Sequence, residues 1–185
     1  MLRGKFIMMT LLALCMLALL SGCGGGPKAD VSVFIITKAP LDMEKTDGMK
    51  AALQERMGEN TVDVAVSPMF SIEKLIVELA AGGHGILIVD EEQFKAFANQ
   101  GAFYSLEDTF DPAEYPEGVI DMTIKKGDTE QVVNGLYGMP VDRTDWLQSG
   151  GYAGGRAYAF IPLNAPNPEL AKQALKAIVE WKAQN

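Results

Sequence analysis

The chain has 185 residues, of which 24 are acidic and 16 are basic, so its formal net charge at pH 7 is −8. An acidic surface repels nucleic acid and anionic headgroups, and no nucleic-acid partner is expected. The length beyond the first 30 residues suffices for one well-buried domain.

The first 22 residues have the features of a signal peptide. Arg3 and Lys5 give a short positive region, and an almost uninterrupted apolar run follows over residues 6–20. This run is shorter than the ~20 residues that a membrane-spanning helix needs. Residues 1–22 are therefore predicted to be a targeting segment that is removed. The alternative is an uncleaved N-terminal anchor helix.

The apolar run ends in the sequence LSGC at residues 20–23, which resembles the lipobox of bacterial lipoproteins. The resemblance implies that the Cys23 thiol receives a lipid and that Cys23 becomes the new N-terminus. A glycine-rich stretch follows, so residues 23–30 are predicted to be a lipidated cysteine and a flexible tether. The other cysteine, Cys15, leaves with the signal peptide, and the mature chain then has neither a disulfide nor a free thiol.

Apolar strands alternate with amphipathic helices over residues 31–101. Strands are predicted at residues 31–36, 61–66 and 85–89. The first and the third are nearly continuous apolar runs, which are typical of a strand buried on both faces. This order predicts an α/β fold in which a three-layer, doubly wound and mostly parallel sheet forms a single domain over residues 31–185.

Helix starts and stops separate these strands. Asp42 can cap a helix that runs to about Met57 and ends at Gly58, and Ser71 can cap a second helix that ends at Gly82 and Gly83. The second helix has an apolar stripe predicted to lie on the sheet: Ile72, Leu75, Ile76, Leu79 and Ala80. A third helix follows the capping-box arrangement of Asp90 with Gln93 and closes at Gly101.

The second half of the chain is less regular. Residues 108–133 are predicted to be loop with short helical pieces, and residues 143–155 a glycine-rich loop. Strands are predicted at residues 136–141, where Pro140 argues against a central position, and at 156–163, which alternates. Asn167 and Pro168 start a last helix, whose predicted buried stripe is Leu170, Ala171, Ala174, Leu175, Ile178 and Trp181.

Residues 31–142 resemble the N-terminal lobe of the extracellular solute-binding proteins that feed ABC importers. The similarity lies in the order of the segments GILIVD (85–90), FKAFANQGAFYSLED (94–108) and YGMPVD (137–142), followed by a similar last strand and helix over 157–181. The resemblance implies one lobe of a periplasmic-binding-protein fold. Only residues 143–155 separate the strand that leaves this lobe from the strand that returns, which leaves no room for a second lobe.

Ligands of open α/β sheets bind at the carboxyl ends of the strands, where this chain has polar and aromatic residues. Lys38, Met69 and Tyr152 lie near the predicted binding residues, which are Thr37, Ser67, Phe70, Asp90, Glu91, Asp142 and Trp146. Carboxylates beside aromatic rings suit a sugar or a cationic solute. Structural roles are the alternative: Ser67 precedes a proline turn, Asp90 caps a helix, and Trp146 covers the core.

Catalytic patterns are sparse, and no catalytic residue, metal site or cofactor is predicted. His84, the only histidine, is flanked by glycines and is interpreted as a turn residue rather than a base. The acidic stretch at residues 107–114 does not have the spacing of an EF-hand loop and is interpreted as a solvated acidic loop.

The leading hypothesis is a non-enzymatic lipoprotein, anchored through Cys23 on the extracytoplasmic face of a cell membrane, that binds a carbohydrate or another small polar solute. Its partner would be an ABC importer or another envelope protein. The first alternative is an envelope protein-interaction module with no small ligand, and the second is an enzyme. The binding hypothesis predicts an exposed apolar and aromatic patch at the strand ends.

Overall fold

Strands and helices alternate in the computed structural model of the protein, which describes residues 28–126 and 129–183. The strands are β1 (Val31–Ile35), β2 (Val62–Val66), β3 (Ile86–Asp90), β4 (Val119–Lys126), β5 (Thr129–Leu136), β6 (Met139–Pro140) and β7 (Ala157–Phe160). The helices are α1 (Thr46–Met57), α2 (Ile72–Ala81), α3 (Glu91–Ala98), α4 (Asp145–Ser149) and α5 (Pro168–Glu180), with 3-10 turns at Met43–Lys45 and Pro116–Gly118. The predicted signal peptide, Cys23 and the tether up to residue 27 lie outside the described residues.

One sheet has the strand order β2-β1-β3-β7-β6. The first three strands are parallel, whereas β7 runs antiparallel to both β3 and β6. The α/β class is thus confirmed, and the sheet is mostly parallel, since β7 alone among its five strands runs in the opposite direction. The segment between Pro140 and Ala157 stays at the carboxyl edge of the sheet, so the chain can only return in the opposite direction.

Apolar residues cover both faces of this sheet. Along β1 the side chain of Ile35 belongs to one buried cluster, with Leu53 of α1 and Leu175 of α5. The neighbouring side chain of Phe34 belongs to a second cluster, with Leu75 of α2 and Phe94 of α3. Burial on both faces explains why β1 and β3 are nearly continuous apolar runs in the sequence.

Local signals set the helix ends as predicted. The side chains of Asp42, Ser71 and Asn167 each accept a hydrogen bond from a backbone N–H in the first turn that follows them. Gly58 and Gly82 end α1 and α2 with φ values of +60° and +64°, a region that glycine enters without steric cost.

The prediction for residues 108–133 is wrong beyond the turn at Pro116–Gly118. Strands β4 and β5 form a hairpin there, in register from Val119 opposite Leu136 to Lys126 opposite Thr129. Met122 of β4 is buried, with Ile120 and Ile124 partly covered. The apolar pattern is short and interrupted by charges because a hairpin with one exposed face needs few buried side chains.

Two further segments differ from prediction. The strand expected at residues 136–141 shortens to β6, which lies at the sheet edge as Pro140 requires. All four residues of β7 are buried, instead of alternating, because β7 lies between β3 and β6 with both faces covered. The glycine-rich loop contains α4, which begins after Thr144, whose hydroxyl oxygen accepts a hydrogen bond from the Leu147 N–H.

Candidate functional site

The carboxyl ends of β1, β2 and β3 lie at one edge of the sheet, together with the end of β6 and the start of β7. This edge brings together most of the predicted ligand-binding residues, as expected. Asp90 pairs with Ala157, and the Lys38 N–H donates to Asp90 Oδ2 over 2.7 Å.

Thr37 and Ser67 are buried at this edge and shape its turns. The Thr37 hydroxyl donates to the Ala39 carbonyl over 2.7 Å, and the Ser67 hydroxyl donates to the Met69 carbonyl over 2.8 Å. Their hydroxyl protons are therefore used within the protein, and their role is to hold the loops that follow β1 and β2.

Asp90 and Glu91 also have partners in the fold. The Asp90 carboxylate does not cap α3, so the predicted capping box with Gln93 is wrong; it accepts from Lys38 instead because the loop after β1 packs beside it. Glu91 pairs with Lys95 one helical turn later, at 2.7 Å.

The aromatic rings of the glycine-rich segment point inward. Trp146 is fully buried, and its Nε1–H donates to the Met49 carbonyl of α1 over 3.0 Å. The Tyr152 hydroxyl donates to the Gly155 carbonyl over 3.1 Å. Burial raises the pKa of Tyr152 to about 12, with the negative charges of Asp90 and Asp142 adding to the effect. The Trp146 ring is thus a core element that a surface ligand does not reach, because α4 turns it toward α1.

Asp142 borders a small polar crevice. Its side chain is 15% exposed and lies 3.8 Å from Arg143 Nε. Glu117, Pro140 and Arg156 complete a space of about 110 Å³. This volume is below the roughly 300 Å³ at which ligand pockets begin.

A larger groove lies between α2 and α3, next to the loop that follows β1. It has a volume of about 430 Å³, and its lining residues are Lys38, Phe70, Ile72, Ile76, Glu92, Gln93, Ala96, Phe97 and Gln100. We call it the α2–α3 groove. Its walls are mostly apolar, with a few polar groups, which is the usual composition of a ligand site.

A charged pair stands at the mouth of the α2–α3 groove. Lys38 Nζ lies 2.5 Å from Glu92 Oε2 and 6.0 Å from the centre of the Phe70 ring. The hydrogen bond between the two groups lowers the pKa of Glu92 and raises that of Lys38. Both groups therefore stay charged at neutral pH.

Apolar side chains continue beyond the groove on the outer surface of α2 and on the loop that precedes it. Met69 is 77% exposed and Val77 is 64% exposed, next to Ile72 at 40% and Ile76 at 51%. The predicted stripe of α2 is therefore covered only in part, with Leu75 alone fully buried. The predicted stripe omitted Val77, which makes α2 apolar on a second face that the sheet does not cover.

His84 lies at the opposite, amino edge of the sheet, in the turn before β3 as predicted. Its Nδ1 is 2.9 Å from Ser32 Oγ and its Nε2 is 3.0 Å from Glu78 Oε2, with the imidazole stacked on Phe34. Sequence reasoning missed this chain of contacts, which joins β1, α2 and the turn before β3. Ser32 sits within the hydrogen-bonded strand β1 and not on a sharp turn that would present its oxygen to a substrate.

The same amino edge has a broad depression of about 750 Å³, with the 3.0 Å ion pair of Lys50 and Asp63 on its wall. It is larger than the α2–α3 groove but lies away from every predicted binding residue. Ser32, Gln54 and Thr61 also line it.

Within the described ranges, no three His, Cys, Asp or Glu side chains are grouped so that they could hold a metal ion. None of the helices described is both long and apolar enough to cross a bilayer. No known protein family, curated protein or solved structure matches this chain.

Proposed function

We propose that the protein is a lipoprotein, anchored to the extracytoplasmic face of a cell membrane through Cys23, and that it binds a small solute without transforming it. The α2–α3 groove is the binding site in this proposal. In the same proposal the domain is a doubly wound single lobe related to solute-binding proteins.

The main support for solute binding is the position, volume and lining of the α2–α3 groove. It opens at the carboxyl edge, where solutes bind in α/β sheets, and its volume of about 430 Å³ suits a small molecule. Ile72 and Ile76, which are exposed, and Phe70, which is partly buried, supply the apolar and aromatic surface that a binding module requires. Exposed apolar surface of this kind is unfavourable in water unless something covers it.

The closed glycine-rich segment supports the single-lobe part of the proposal. The chain leaves the sheet at Asp142 and returns at Arg156, on neighbouring strands of the same edge. Between them α4, Trp146 and Tyr152 fill the space with buried side chains. The segment between Asp142 and Arg156 therefore covers this part of the carboxyl edge.

A thermal-melt screen of the chain beginning at Gly24 tests the binding function, since both buried clusters are formed by residues 31–178. The compounds are sugars, oligosaccharides, amino acids, polyamines and divalent metals. A ligand at 100 times its Kd adds about 2.7 kcal/mol, a shift of a few degrees in Tm.

A matched pair of variants locates the site. Ile76→Glu places a charge in the α2–α3 groove and should abolish the shift. Val132→Glu, at a residue 63% exposed on β5, should leave it intact. A well-folded protein whose Tm responds to no compound would contradict solute binding.

Docking on another envelope protein is the second candidate function, and the exposure of Met69 and Val77 outside the groove favours it. A photo-cross-linker at position 77 in intact cells should then capture a partner, while one at position 132 should not. Recovery of the uncross-linked chain alone from both positions would exclude this candidate.

A further inference from the structure

The mouth of the α2–α3 groove has one positive and one negative group side by side. Lys38 comes from the loop after β1, and its backbone is held by the bond from its N–H to Asp90. Glu92 comes from the first turn of α3. The backbones of the two charged residues therefore belong to different elements of the fold.

This charged pair is open to solvent, so a ligand can replace it at little cost. The Lys38 and Glu92 side chains are 54% and 71% exposed. Exposed ion pairs contribute little to stability because water screens them and long side chains lose entropy when held together. Inserting between the two groups removes a weak contact and forms two new ones.

The charges at the mouth select against a ligand with only one charge. A cation near Glu92 would also approach Lys38, and an anion near Lys38 would also approach Glu92. A ligand with both charges meets an opposite charge at each position, and like-charge contacts are avoided.

The interior of the groove is apolar, so the rest of the ligand must be apolar as well. Ile72, Ile76 and Phe97 line it beyond the charged mouth.

We infer that the ligand of the α2–α3 groove is a zwitterion with an apolar side chain, that is, a free apolar or aromatic α-amino acid. Its ammonium pairs with Glu92, its carboxylate with Lys38, and its side chain lies against Ile72, Ile76 and Phe97. This inference rests on the proposed function, because it takes the groove to be the binding site.

Calorimetric titration of the full-length protein in detergent tests the ligand class. The probes are L-phenylalanine and L-leucine, compared with N-acetyl-L-phenylalanine, which lacks the ammonium, phenethylamine, which lacks the carboxylate, and glycine, which lacks the apolar side chain. We expect the two complete zwitterions to bind at least tenfold more tightly than each of the three analogues.

Charge-removing variants make the test specific to the two groups. Lys38→Met should weaken phenylalanine binding about tenfold and bring it level with phenethylamine. Glu92→Gln should bring phenylalanine level with N-acetyl-phenylalanine. The controls are Lys176→Met and Glu180→Gln, which break an exposed ion pair on α5. Both should leave the affinity for phenylalanine unchanged.

The outcomes separate this inference from the proposed function. If all the aromatic probes bind alike and Ile76→Glu abolishes their binding, the groove is a site for apolar ligands. The inference that its ligand is a zwitterion is then wrong. If phenylalanine binds but Lys38→Met and Glu92→Gln change nothing, the inference is wrong as well. If no probe binds and the thermal-melt screen also finds no ligand, the proposed function fails with it.

Discussion

Trp146 shows how one side chain closes the carboxyl edge. The residue stands in a polar, glycine-rich segment, yet its indole is fully buried and bonded to the Met49 carbonyl. Gly150 packs against the Met49 side chain so closely that an added Cβ would lie 2.3 Å from its sulfur. The segment therefore packs on α1 through one large ring and one residue without a side chain.

Replacing Trp146 should reduce stability and leave ligand binding unchanged. Trp146→Ala should cost about 3–5 kcal/mol, because it leaves a cavity in the core. Trp146→Phe retains an aromatic ring and should cost less, since the hydrogen bond it loses contributes about 0.5–1.5 kcal/mol. Urea unfolding measures both values. Weaker ligand affinity in a folded Trp146→Phe protein would indicate the stacking role that its burial argues against.

Two glycines allow a matched test of steric fit. A Cβ at Gly138 would lie 2.3 Å from the Phe94 ring, which is stacked between Tyr158 and Phe103, whereas a Cβ at Gly48 in α1 has nothing within 4 Å. Gly138→Ala should destabilise by about 1–3 kcal/mol, as over-packing does. Gly48→Ala should stabilise by up to about 1 kcal/mol, because alanine favours a helix. Equal effects in thermal unfolding would contradict the packing described for Phe94.

At the scale of elements, a buried lysine of α5 forms an ion pair with the acidic loop before β4. Lys172 is buried on α5, and its ammonium lies 2.5 Å from Asp108 and 3.1 Å from Glu169. Sequence reasoning took the loop at residues 107–114 to be a solvated acidic stretch. Asp108 instead pairs across the fold with a charge that the core nearly covers.

This pair predicts a dependence of stability on pH. The hydrogen bond from Lys172 lowers the pKa of Asp108, so the folded state binds a proton less readily than the unfolded state. The stabilisation is complete above the ordinary carboxyl pKa of about 3.9 and is lost as the pH falls through the lowered value. Asp108→Asn should therefore cost about 0.5–1 kcal/mol at pH 7 and nothing at the acid end.

Urea unfolding of wild type and Asp108→Asn from pH 7 to pH 2.5 measures this difference. Glu55→Gln, at an exposed residue of α1, is the control and should change stability little at any pH. A cost of Asp108→Asn that stays constant down to pH 2.5 would mean that the charge of Asp108 is not what stabilises the pair.

At the scale of the whole molecule, the start of the described chain and the proposed site lie at opposite edges of the sheet. The described chain begins at Lys28 and enters β1 at its amino end, whereas the α2–α3 groove lies toward the carboxyl edge. In the proposed lipoprotein, Cys23 lies five residues before Lys28 in the chain, so the lipid is attached through the segment that leads into the amino edge.

Cys23→Ser tests the anchor directly. Two or three acyl chains bind a bilayer tightly, because each buried CH₂ contributes about 0.8 kcal/mol. We expect wild type in the membrane fraction with an acylated N-terminal peptide in mass spectra, and Cys23→Ser without that modification. Cys15→Ser, in the apolar run, should behave like wild type. An unchanged N-terminal mass in Cys23→Ser would refute lipidation at Cys23.

The sequence determined the features that depend on neighbouring residues. The first three strands, the caps at Asp42, Ser71 and Asn167, and the helix ends at Gly58 and Gly82 all followed from short-range patterns, because a capping side chain bonds to backbone a few residues away. The gathering of Thr37, Ser67 and Asp90 at one edge followed too, since parallel strands end on the same side.

The tertiary structure decided which surfaces those elements cover. The antiparallel return of β7, the hairpin of β4 and β5, and the inward turn of Trp146 depend on residues far apart in the chain. The α2–α3 groove exists because the sheet covers Leu75 but leaves Ile72 and Ile76 exposed. Apolar periodicity shows that a helix has an apolar face, but only packing in three dimensions decides how much of that face is buried.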